Sequence, residues 1–334
     1  MRPPERVRSL IRLLLAGALA LSGAVAPAPQ VRCTVTDPRL AELSGLVVRD
    51  GELWAMADGG RRVEVDRLDP ATCAVVERRT AAIDPYDPED LALGPDGALW
   101  VGDIGDNDRA RRTVAVIVLP ARGEPVLHRL TYPDGPHDAE ALLADAQGRV
   151  VVVTKEVTGL SGIYRAALDA TALEKVGEVR LPDSTTVGGP VGSFGDVLVT
   201  GAAVSGDGRV VALRSYTDAW LYPVPVGGDV VEALAGAPVQ VPLGGEPQGE
   251  AVAFDADGTL VSGSESRGGV AGQIREVAGA AAVARDGTAV APSTEAEAPP
   301  EPAVNASLIG VAALVGVLVL GAVAMAVHGA RRRR

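Results

Sequence analysis

Carboxylates recur along this chain at positions that a repeating fold could bring together. Four short apolar segments begin at or just after a glutamate and reach a turn glycine eight or nine residues later. These glutamates are Glu42, Glu89, Glu140 and Glu250, and Asp90 follows the second of them directly. Carboxylates grouped around one axis would repel one another. They would therefore be held by a cation such as calcium, by arginines, or by backbone N–H groups that make them part of the fold.

A second group of polar residues follows the second of these segments. Asp103, Asp106 and Asn107 surround a glycine, and Arg109, Arg111 and Arg112 come directly after them. Carboxylate and amide oxygens are ligands for hard metal ions, although the spacing is not that of an EF-hand. The pattern fits a calcium site or, equally, a turn whose side chains bond to their own backbone.

A third group could perform acid–base chemistry. His137 and Asp138 precede Glu140, and Lys155 lies on the next strand of the same predicted hairpin. Histidine, carboxylate and lysine are the usual proton donors and acceptors of enzymes, but a single surface histidine is more often inert. The sequence contains no nucleophile elbow, phosphate-binding loop, zinc-protease helix or dinucleotide fingerprint.

The elements that must position these residues are five repeated hairpins. Each has a strand of small and β-branched residues, a turn that carries Asp-Gly or Gln-Gly, and a second strand. The hairpins cover residues 43–58, 90–103, 141–155, 201–215 and 251–265. Two more strand-like runs follow each of the first two hairpins, so a unit of about 50 residues suits a four-stranded propeller blade.

We therefore predict an all-β fold, a β-propeller of five blades, with six as the alternative because Asp286-Gly287 could mark a degenerate hairpin. A β-sandwich is the competing fold. The fifth repeat has room for only three strands, so the N-terminal segment 31–36 is expected to supply the fourth and close the ring. The two cysteines, Cys33 and Cys73, are predicted to form a disulfide, since both lie in the part expected to be exported.

The two ends of the chain predict export and membrane anchoring. Residues 1–26 have the charged start, apolar run and small-residue exit of a signal peptide. The propeller is assigned to 31–279 and a Pro/Ala/Glu-rich linker to 280–304. An apolar transmembrane helix is assigned to 305–328 and a cytoplasmic arginine tail to 329–334. This arrangement places the propeller outside the cell membrane, with a single pass and the C-terminus inside.

The charge of the exported part limits its partners. The whole chain has a formal net charge of −12. The signal region has four arginines against one glutamate and the tail has four arginines, so the remainder carries −19. Such an acidic domain argues against nucleic-acid binding and suits cations or basic partners. The partners expected are the membrane, through the C-terminal helix, and an extracytoplasmic protein or small molecule.

Three strings carry a family resemblance: LSGLVVRDGELWAMADGG (43–60), PEDLALGPDGALWVGDIGDN (88–107) and DAEALLADAQGRVVVVTK (138–155). They resemble the SdiA-regulated and phytase-like propeller group, which is similar to the gluconolactonase-like propellers, and specifically an exported, membrane-anchored actinobacterial type. The resemblance covers roughly residues 31–278. It implies a calcium-dependent hydrolase in which Glu89, Asp103, Asp106, Asn107 and Glu140 face the channel. The fourth repeat departs from the pattern, because Thr200 replaces the glutamate.

Two functions follow as hypotheses. The first is a binding or scaffold module at the cell surface, which needs no catalytic set and no cofactor. The second is a calcium-dependent hydrolase acting on a lactone, an ester or a phosphoester. The sequence favours binding, because no nucleophile or base stands out.

Overall fold

A computed structural model describes residues 27–286 as five antiparallel sheets of four strands each, arranged around a common axis. The first strand of each sheet is the innermost, and the five inner strands contact one another in a closed ring. The fold is therefore a five-bladed β-propeller, as the hairpin spacing predicts. The alternatives of a sandwich and of a sixth blade within these residues are excluded.

The strands follow the chain from the axis outwards in blades 1 to 4, and blade 5 takes its outermost strand from the N-terminus. Blade 1 contains β2 (Leu43–Arg49), β3 (Glu52–Ala57), β4 (Val63–Leu68) and β5 (Val75–Ala81). Blade 2 contains β6 (Pro88–Leu93), β7 (Leu99–Asp103), β8 (Val114–Leu119) and β9 (Val126–Leu130). Blade 3 contains β10 (Ala139–Ala144), β11 (Arg149–Thr154), β12 (Leu160–Ala167) and β13 (Glu174–Arg180). Blade 4 contains β14 (Gly201–Val204), β15 (Val210–Arg214), β16 (Asp218–Pro223) and β17 (Val239–Pro242). Blade 5 contains β18 (Gln248–Phe254), β19 (Leu260–Glu265), β20 (Gln273–Val277) and β1 (Gln30–Thr34).

The hydrophobic core is divided between the blades. Five clusters of buried apolar side chains occur, and each joins one blade to the next around the ring. Trp54 belongs to the cluster between blades 1 and 2, and Trp100 to the cluster between blades 2 and 3. Alternating apolar residues on each strand are therefore buried on both faces of a blade, which explains why the inner strands contain few exposed positions.

The N-terminal strand closes the ring. β1 pairs antiparallel with β20 and becomes the outermost strand of blade 5. Cys33 in β1 forms a disulfide with Cys73, which lies between β4 and β5 of blade 1, with Cα atoms 5.6 Å apart. Strand pairing and the covalent link thus connect the last blade to the first. Both the closure and the disulfide are confirmed.

One boundary in the domain assignment is corrected by the structure. Residues Ala280–Asp286, which the sequence assigns to the linker, form the helix α2. Ala280, Ala281 and Ala284 are buried in the cluster between blades 4 and 5, because alanine side chains allow a close approach. A shorter helix, α1 (Val230–Leu234), lies between β16 and β17. The folded domain therefore continues to at least Asp286.

The other predicted segments lie outside the described residues. These are the signal peptide, the rest of the linker, the transmembrane helix and the arginine tail. None of the helices within residues 27–286 combines the length and the hydrophobicity that a membrane crossing requires.

Candidate functional site

The inner strands of four blades share an irregularity near their first residues. In the ladders β2–β3, β6–β7, β10–β11 and β18–β19, one residue of the inner strand has no partner opposite it, which is a β-bulge. The bulged residues are Ser44, Glu89, Glu140 and Glu250. The three glutamates are only 4–5% exposed. Three blades therefore bring a buried carboxyl group to the same end of the inner strands, which we call the channel mouth.

The two other blades place a hydroxyl group at this level. In blade 1 the bulged residue is Ser44, whose hydroxyl donates to the carbonyl of Glu89. In blade 4 Thr200 precedes β14, and its hydroxyl donates to the Gly249 carbonyl at 3.1 Å. These two side chains join adjacent inner strands, so they support the ring rather than add charge to it.

The structure changes the place of Glu42. Its side chain is exposed, and Ser44 occupies the bulge position. The reason is the turn: blade 1 closes its hairpin with only Asp50 and Gly51, both at positive φ, between paired residues Arg49 and Glu52. In blade 1 the bulged residue Ser44 is therefore closer to the turn glycine than the bulged glutamates are in the other blades, and a count of the usual length passes beyond it. The negative charge of Glu42 still contributes to the raised pKa of Glu265 at the mouth.

Glu89 is the most crowded of the three glutamates. A Cβ atom at position 105 would overlap the carboxyl groups of both Glu89 and Asp87, so Gly105 makes room for them. Burial raises the pKa of Glu89 well above its usual value, and the nearby Glu140 and Asp58 raise it further. The glycine between the two aspartates of the 103–107 string thus serves the channel mouth by its small size.

Glu140 is paired with the one lysine of the mouth. Lys155 Nζ contacts Glu140 Oε1 and donates to the Tyr216 hydroxyl at 2.8 Å. It also lies 5.2 Å from the centre of the Tyr216 ring. Burial disfavours the ammonium form, but Glu140, Tyr216 and Glu250 outweigh it and raise the pKa of Lys155 well above its usual value. Lys155 is therefore a permanent cation among the carboxylates.

Glu250 and Glu265 complete the mouth from blade 5. Gln248 Nε2 donates to Glu250 Oε1 at 2.8 Å. Burial raises the pKa of Glu250 to about 8, against the lowering effect of Lys155 and with a further increase from Glu265. Burial likewise raises the pKa of Glu265 to about 8, with added repulsion from Asp58 and Glu42. The mouth therefore holds protons on some of its carboxyl groups at neutral pH.

Two carboxyl oxygens of the mouth lack a hydrogen bond. Glu140 Oε2 and Glu250 Oε2 are buried and have no hydrogen-bond partner among residues 27–286. A buried polar atom without a partner is costly, and it occurs in native proteins mainly where a ligand, a water or an ion is to be bound. The charge of Glu250 also raises the pKa of Glu140. The site thus has spare hydrogen-bond acceptors next to Lys155.

Asp90 is a structural residue of the axis. One of its carboxyl oxygens accepts the N–H of Leu142 at 2.8 Å and of Ala202 at 3.1 Å, and the other accepts the N–H of Leu91. One side chain thus connects the inner strands of blades 2, 3 and 4. Burial raises its pKa well above the usual value, although these three N–H groups oppose the shift. Both carboxyl oxygens of Asp90 therefore accept hydrogen bonds from the fold, and its role as a channel or ligand-binding residue stays a prediction.

The aspartates of the 103–107 string are likewise bound to protein groups. Asp103 accepts the N–H groups of Tyr86 and Asp87 and pairs with Arg111 at 2.9 Å. Asp106 accepts the N–H groups of Ala110 and Arg111. Asn107 is exposed. The arrangement is that of a structured turn.

The metal prediction can be compared with this geometry. Across residues 27–286, no group of three or more His, Cys, Asp or Glu side chains is placed to hold a metal ion. In the mouth, the Lys155 ammonium contacts the carboxylate that a calcium ion would need. As the side chains stand, the donor set does not fit calcium, and calcium binding stays a prediction for experiment.

His137 is directed away from the other two acid–base candidates. Its Nδ1 lies 3.3 Å from Glu156 Oε1, and its Nε2 lies 3.0 Å from Asp134 Oδ1 and 2.9 Å from the Tyr164 hydroxyl. Both ring nitrogens are therefore engaged on the outer side of blade 3. Asp138 accepts the N–H of Asp106 at 2.8 Å, and burial raises its pKa against the opposing charge of Lys155. Only Asp138 and Lys155 thus belong to the mouth.

Two residues of the mouth were outside the predicted site. Tyr216 follows β15 in the blade that lacks a glutamate, so the repeat pattern gives no signal for it. Glu265 is the last residue of β19, the second strand of blade 5. Asp58 and Lys155 lie at the corresponding place in blades 1 and 3, directly after the second strand. That shared register predicts from the sequence that Asp58, Glu265 and Arg267 lie on the same face of the propeller, although Glu265 is not among the predicted site residues.

The other half of the channel is apolar. A cavity of about 80 Å³ lies there between the inner strands of all five blades. It is lined mainly by apolar side chains, including Leu46, Leu91, Leu142, Ala202, Val204 and Phe254. The channel therefore has a charged mouth above a narrow apolar section.

Comparison with known proteins gives structural similarities alone: no protein-family model and no curated protein matches the sequence. A gluconolactonase from Xanthomonas campestris is 17% identical, with 71% of this chain and 72% of that chain covered and a TM-score of 0.41. A PQQ-bound aldose sugar dehydrogenase from Streptomyces coelicolor is 13% identical, with 76% and 99% covered and a TM-score of 0.42. A catalytically inactive virginiamycin B lyase from Staphylococcus aureus, with quinupristin, is 12% identical, with 73% and 68% covered and a TM-score of 0.38. Similarities at this level carry no argument about activity or ligand.

Proposed function

We propose that this protein is an exported, membrane-anchored binding module whose channel mouth receives an ammonium group of a small molecule or of a partner protein. The observation that carries the proposal is the pair of buried carboxyl oxygens, Glu140 Oε2 and Glu250 Oε2, that have no hydrogen-bond partner among the described residues. An incoming ammonium has three N–H donors, which can bond to both oxygens.

The charges of the mouth support the same ligand class. The positive charge of Lys155 lowers the pKa values of all five carboxyl groups around it, which are Glu89, Asp138, Glu140, Glu250 and Glu265. Arg214 acts in the same way on Glu250, and Arg109 on Asp138. A further cation would reduce the repulsion that raises the pKa values of these carboxyl groups. The strongly acidic exported part would also attract cationic ligands from solution.

The anchoring part of the proposal comes from the ends of the sequence. A signal peptide at 1–26 and an apolar helix at 305–328, followed by arginines, would place the propeller at the outer surface of the cell membrane. The Pro- and Glu-rich stretch between the propeller and the helix would act as a spacer that lets the mouth reach ligands away from the membrane.

A calcium-dependent hydrolase is the second hypothesis. The glutamate oxygens are ligands that calcium prefers. Against it, Lys155 contacts Glu140, and the carboxylates of Asp103 and Asp106 already accept backbone N–H groups. A calcium site would require Lys155 to leave Glu140.

Thermal unfolding of the purified protein separates the two hypotheses. A ligand that binds only the folded state raises the melting temperature. We expect 1,4-diaminobutane to raise it at pH 7.5, and the rise to be lost in Glu250→Gln. The matched control is Glu124→Gln, the same change at an exposed residue in blade 2, where the rise should persist.

The opposite outcome is equally clear. If calcium chloride raises the melting temperature, a chelator reverses the rise and the diamine has no effect, the ammonium site is wrong and the hydrolase hypothesis gains its metal. If the diamine acts equally on Glu250→Gln and Glu124→Gln, the effect is general charge screening and the proposed site is refuted.

A further inference from the structure

A second cavity lies in blade 2, and none of the three buried glutamates of the mouth lines it. It has a volume of about 310 Å³, which is within the range of small-molecule sites. Its lining comes from the segment before β6, the end of β7, the segment before β8 and the outer strand β9: Asp84, Tyr86, Asp103, Arg111, Arg112, Thr113 and Arg129. Three arginines in one cavity are unusual for a domain as acidic as this one.

Arg111 forms a fixed wall of the cavity. Its guanidinium donates to the carbonyls of Gly105 and Asp103 and to the Asp103 carboxylate, at 2.6, 3.0 and 2.9 Å. The same group lies 4.7 Å from the centre of the Tyr86 ring. Arg111 therefore neutralises Asp103 and holds one face of Tyr86, while the ring as a whole is 62% exposed.

Arg112 and Arg129 are the available cations. Both side chains are exposed, and neither has a hydrogen bond or an ion pair to another residue in the part of the chain that the structure describes. They line the same cavity from different segments, β9 and the loop before β8. Two guanidinium groups without carboxylate partners present donors in the fork geometry that binds carboxylate or phosphate.

The rest of the lining suits a hydroxylated body. The exposed Tyr86 ring offers an apolar face, and Asp84 and Thr113 offer oxygens that can accept hydrogen bonds from hydroxyl groups. We propose that this cavity is a second binding site, for an acidic saccharide. Its carboxylate or phosphate pairs with Arg112 and Arg129, and its sugar ring covers Tyr86.

Calorimetric titration with three probes tests the site: D-glucuronate, D-glucose and inorganic phosphate. Glucuronate has both the anion and the sugar ring, glucose lacks the charge, and phosphate lacks the ring. We expect glucuronate to bind at least about tenfold more tightly than either of the others, because ion-pair and ring contacts add. A sugar phosphate in place of glucuronate then shows which oxyanion the arginines prefer.

Variants assign the binding to the cavity. Arg112→Gln and Arg129→Gln should each weaken glucuronate binding by about tenfold or more, which is the usual effect of losing a charge-assisted hydrogen bond. Arg122→Gln, the same change at an exposed arginine of blade 2 outside the cavity, should have no effect. All three positions are exposed, so melting temperatures should stay unchanged and confirm folding.

Three results would overturn the proposal. Glucuronate does not bind saturably, or phosphate and glucose bind as well as it does, or Arg122→Gln weakens binding as much as the cavity variants. The diamine titration proposed above is independent of these outcomes, since it concerns an ammonium at the channel mouth.

Discussion

Two buried ion pairs in this propeller differ in how their charges are balanced. Arg214 and Glu246 are both completely buried between blades 4 and 5 and contact each other directly. Glu246 Oε1 also accepts the Ser262 hydroxyl at 2.7 Å, and Arg214 Nη1 donates to the Ala251 carbonyl at 3.0 Å. One positive charge here meets one negative charge, and both oxygens of the carboxylate have partners.

Around the pair of Lys155 and Glu140, carboxyl groups outnumber the cations that contact them. The same ammonium serves Glu140, Glu250 and Asp138, and oxygens of two glutamates remain without hydrogen bonds among the described residues. Buried charge is thus arranged in two ways in one fold. The balanced pair joins two blades, while the excess of carboxylates at the mouth, which costs some stability, is the basis of the proposed ammonium site.

The largest effect should come from breaking the balanced pair. Glu246→Gln leaves the buried Arg214 without its counter-charge, so we expect the free energy of unfolding to fall by about 3–5 kcal/mol. Urea unfolding measures it. The control is Glu77→Gln, which removes the exposed partner of Arg67 and should cost less than about 1 kcal/mol. Equal losses in the two variants would contradict the structural role of the buried pair.

Removal of the mouth's ammonium should have an intermediate effect that depends on pH. In Lys155→Met the carboxylates lose their only cation in direct contact with Glu140, so we expect a loss of about 2–3 kcal/mol at pH 8.5. At pH 5 the loss should be smaller, because the carboxyl groups with raised pKa values are protonated. The same loss at both pH values would show that Lys155 acts by packing alone.

The unbalanced charge predicts that stability falls as pH rises. Glu250 and Glu265 have folded-state pKa values of about 8, above the unfolded value of 4.5. Between these values the folded state holds more protons, so each group lowers stability by at most about 1.4 kcal/mol per pH unit. The penalty is absent below pH 4.5 and complete above pH 8.

Glu250→Gln tests this penalty directly. The variant cannot ionise at position 250, so it should be more stable than the parent protein at pH 8.5 by several kcal/mol, because about 1.4 kcal/mol per pH unit accumulates between pH 4.5 and about 8, and little different at pH 5. Urea unfolding at the two pH values gives the comparison. A variant that is less stable than the parent at pH 8.5 would show that Glu250 contributes favourable contacts and not excess charge.

The smallest effect is expected at Glu42. This residue is exposed, and its charge acts on Glu265 at the mouth, so Glu42→Gln should change stability by less than about 0.5 kcal/mol. It should also leave most of the diamine's effect on the melting temperature intact. If Glu42→Gln abolished the diamine's effect on the melting temperature as fully as Glu250→Gln, Glu42 would have to be counted among the residues that bind the ligand.

The fold was predictable because its signals are local. Each Asp-Gly or Gln-Gly turn and its flanking strands lie within a few residues, and their repetition gives the blades and the closure by the first strand. The disulfide follows from a different signal, the pair of cysteines in the part expected to be exported. The same counting finds Glu89, Glu140 and Glu250, whose hairpins have turns of similar length. It misplaces Glu42, because the two-residue turn at Asp50-Gly51 shifts the register.

The rest of the site depends on contacts between distant blades. Tyr216 meets Lys155, which lies 61 residues earlier, and Arg214 meets Glu246 only after blades 4 and 5 have packed together. Asp103 and Asp106 resemble metal ligands by type, and only the positions of backbone N–H groups show that their oxygens are already used. Residue types and spacing contain none of this information.

Proton release on ligand binding tests the central claim most directly. Calorimetric titration of the protein with 1,4-diaminobutane at pH 7.5, repeated in buffers of different ionisation enthalpy, measures the protons exchanged per ligand bound. Since Glu250 and Glu265 have pKa values of about 8 and must ionise to pair with an ammonium, we predict saturable binding with a net release of protons, reduced in Glu250→Gln. Binding without proton release, or with the same release in Glu250→Gln, would contradict a cation site in the channel mouth.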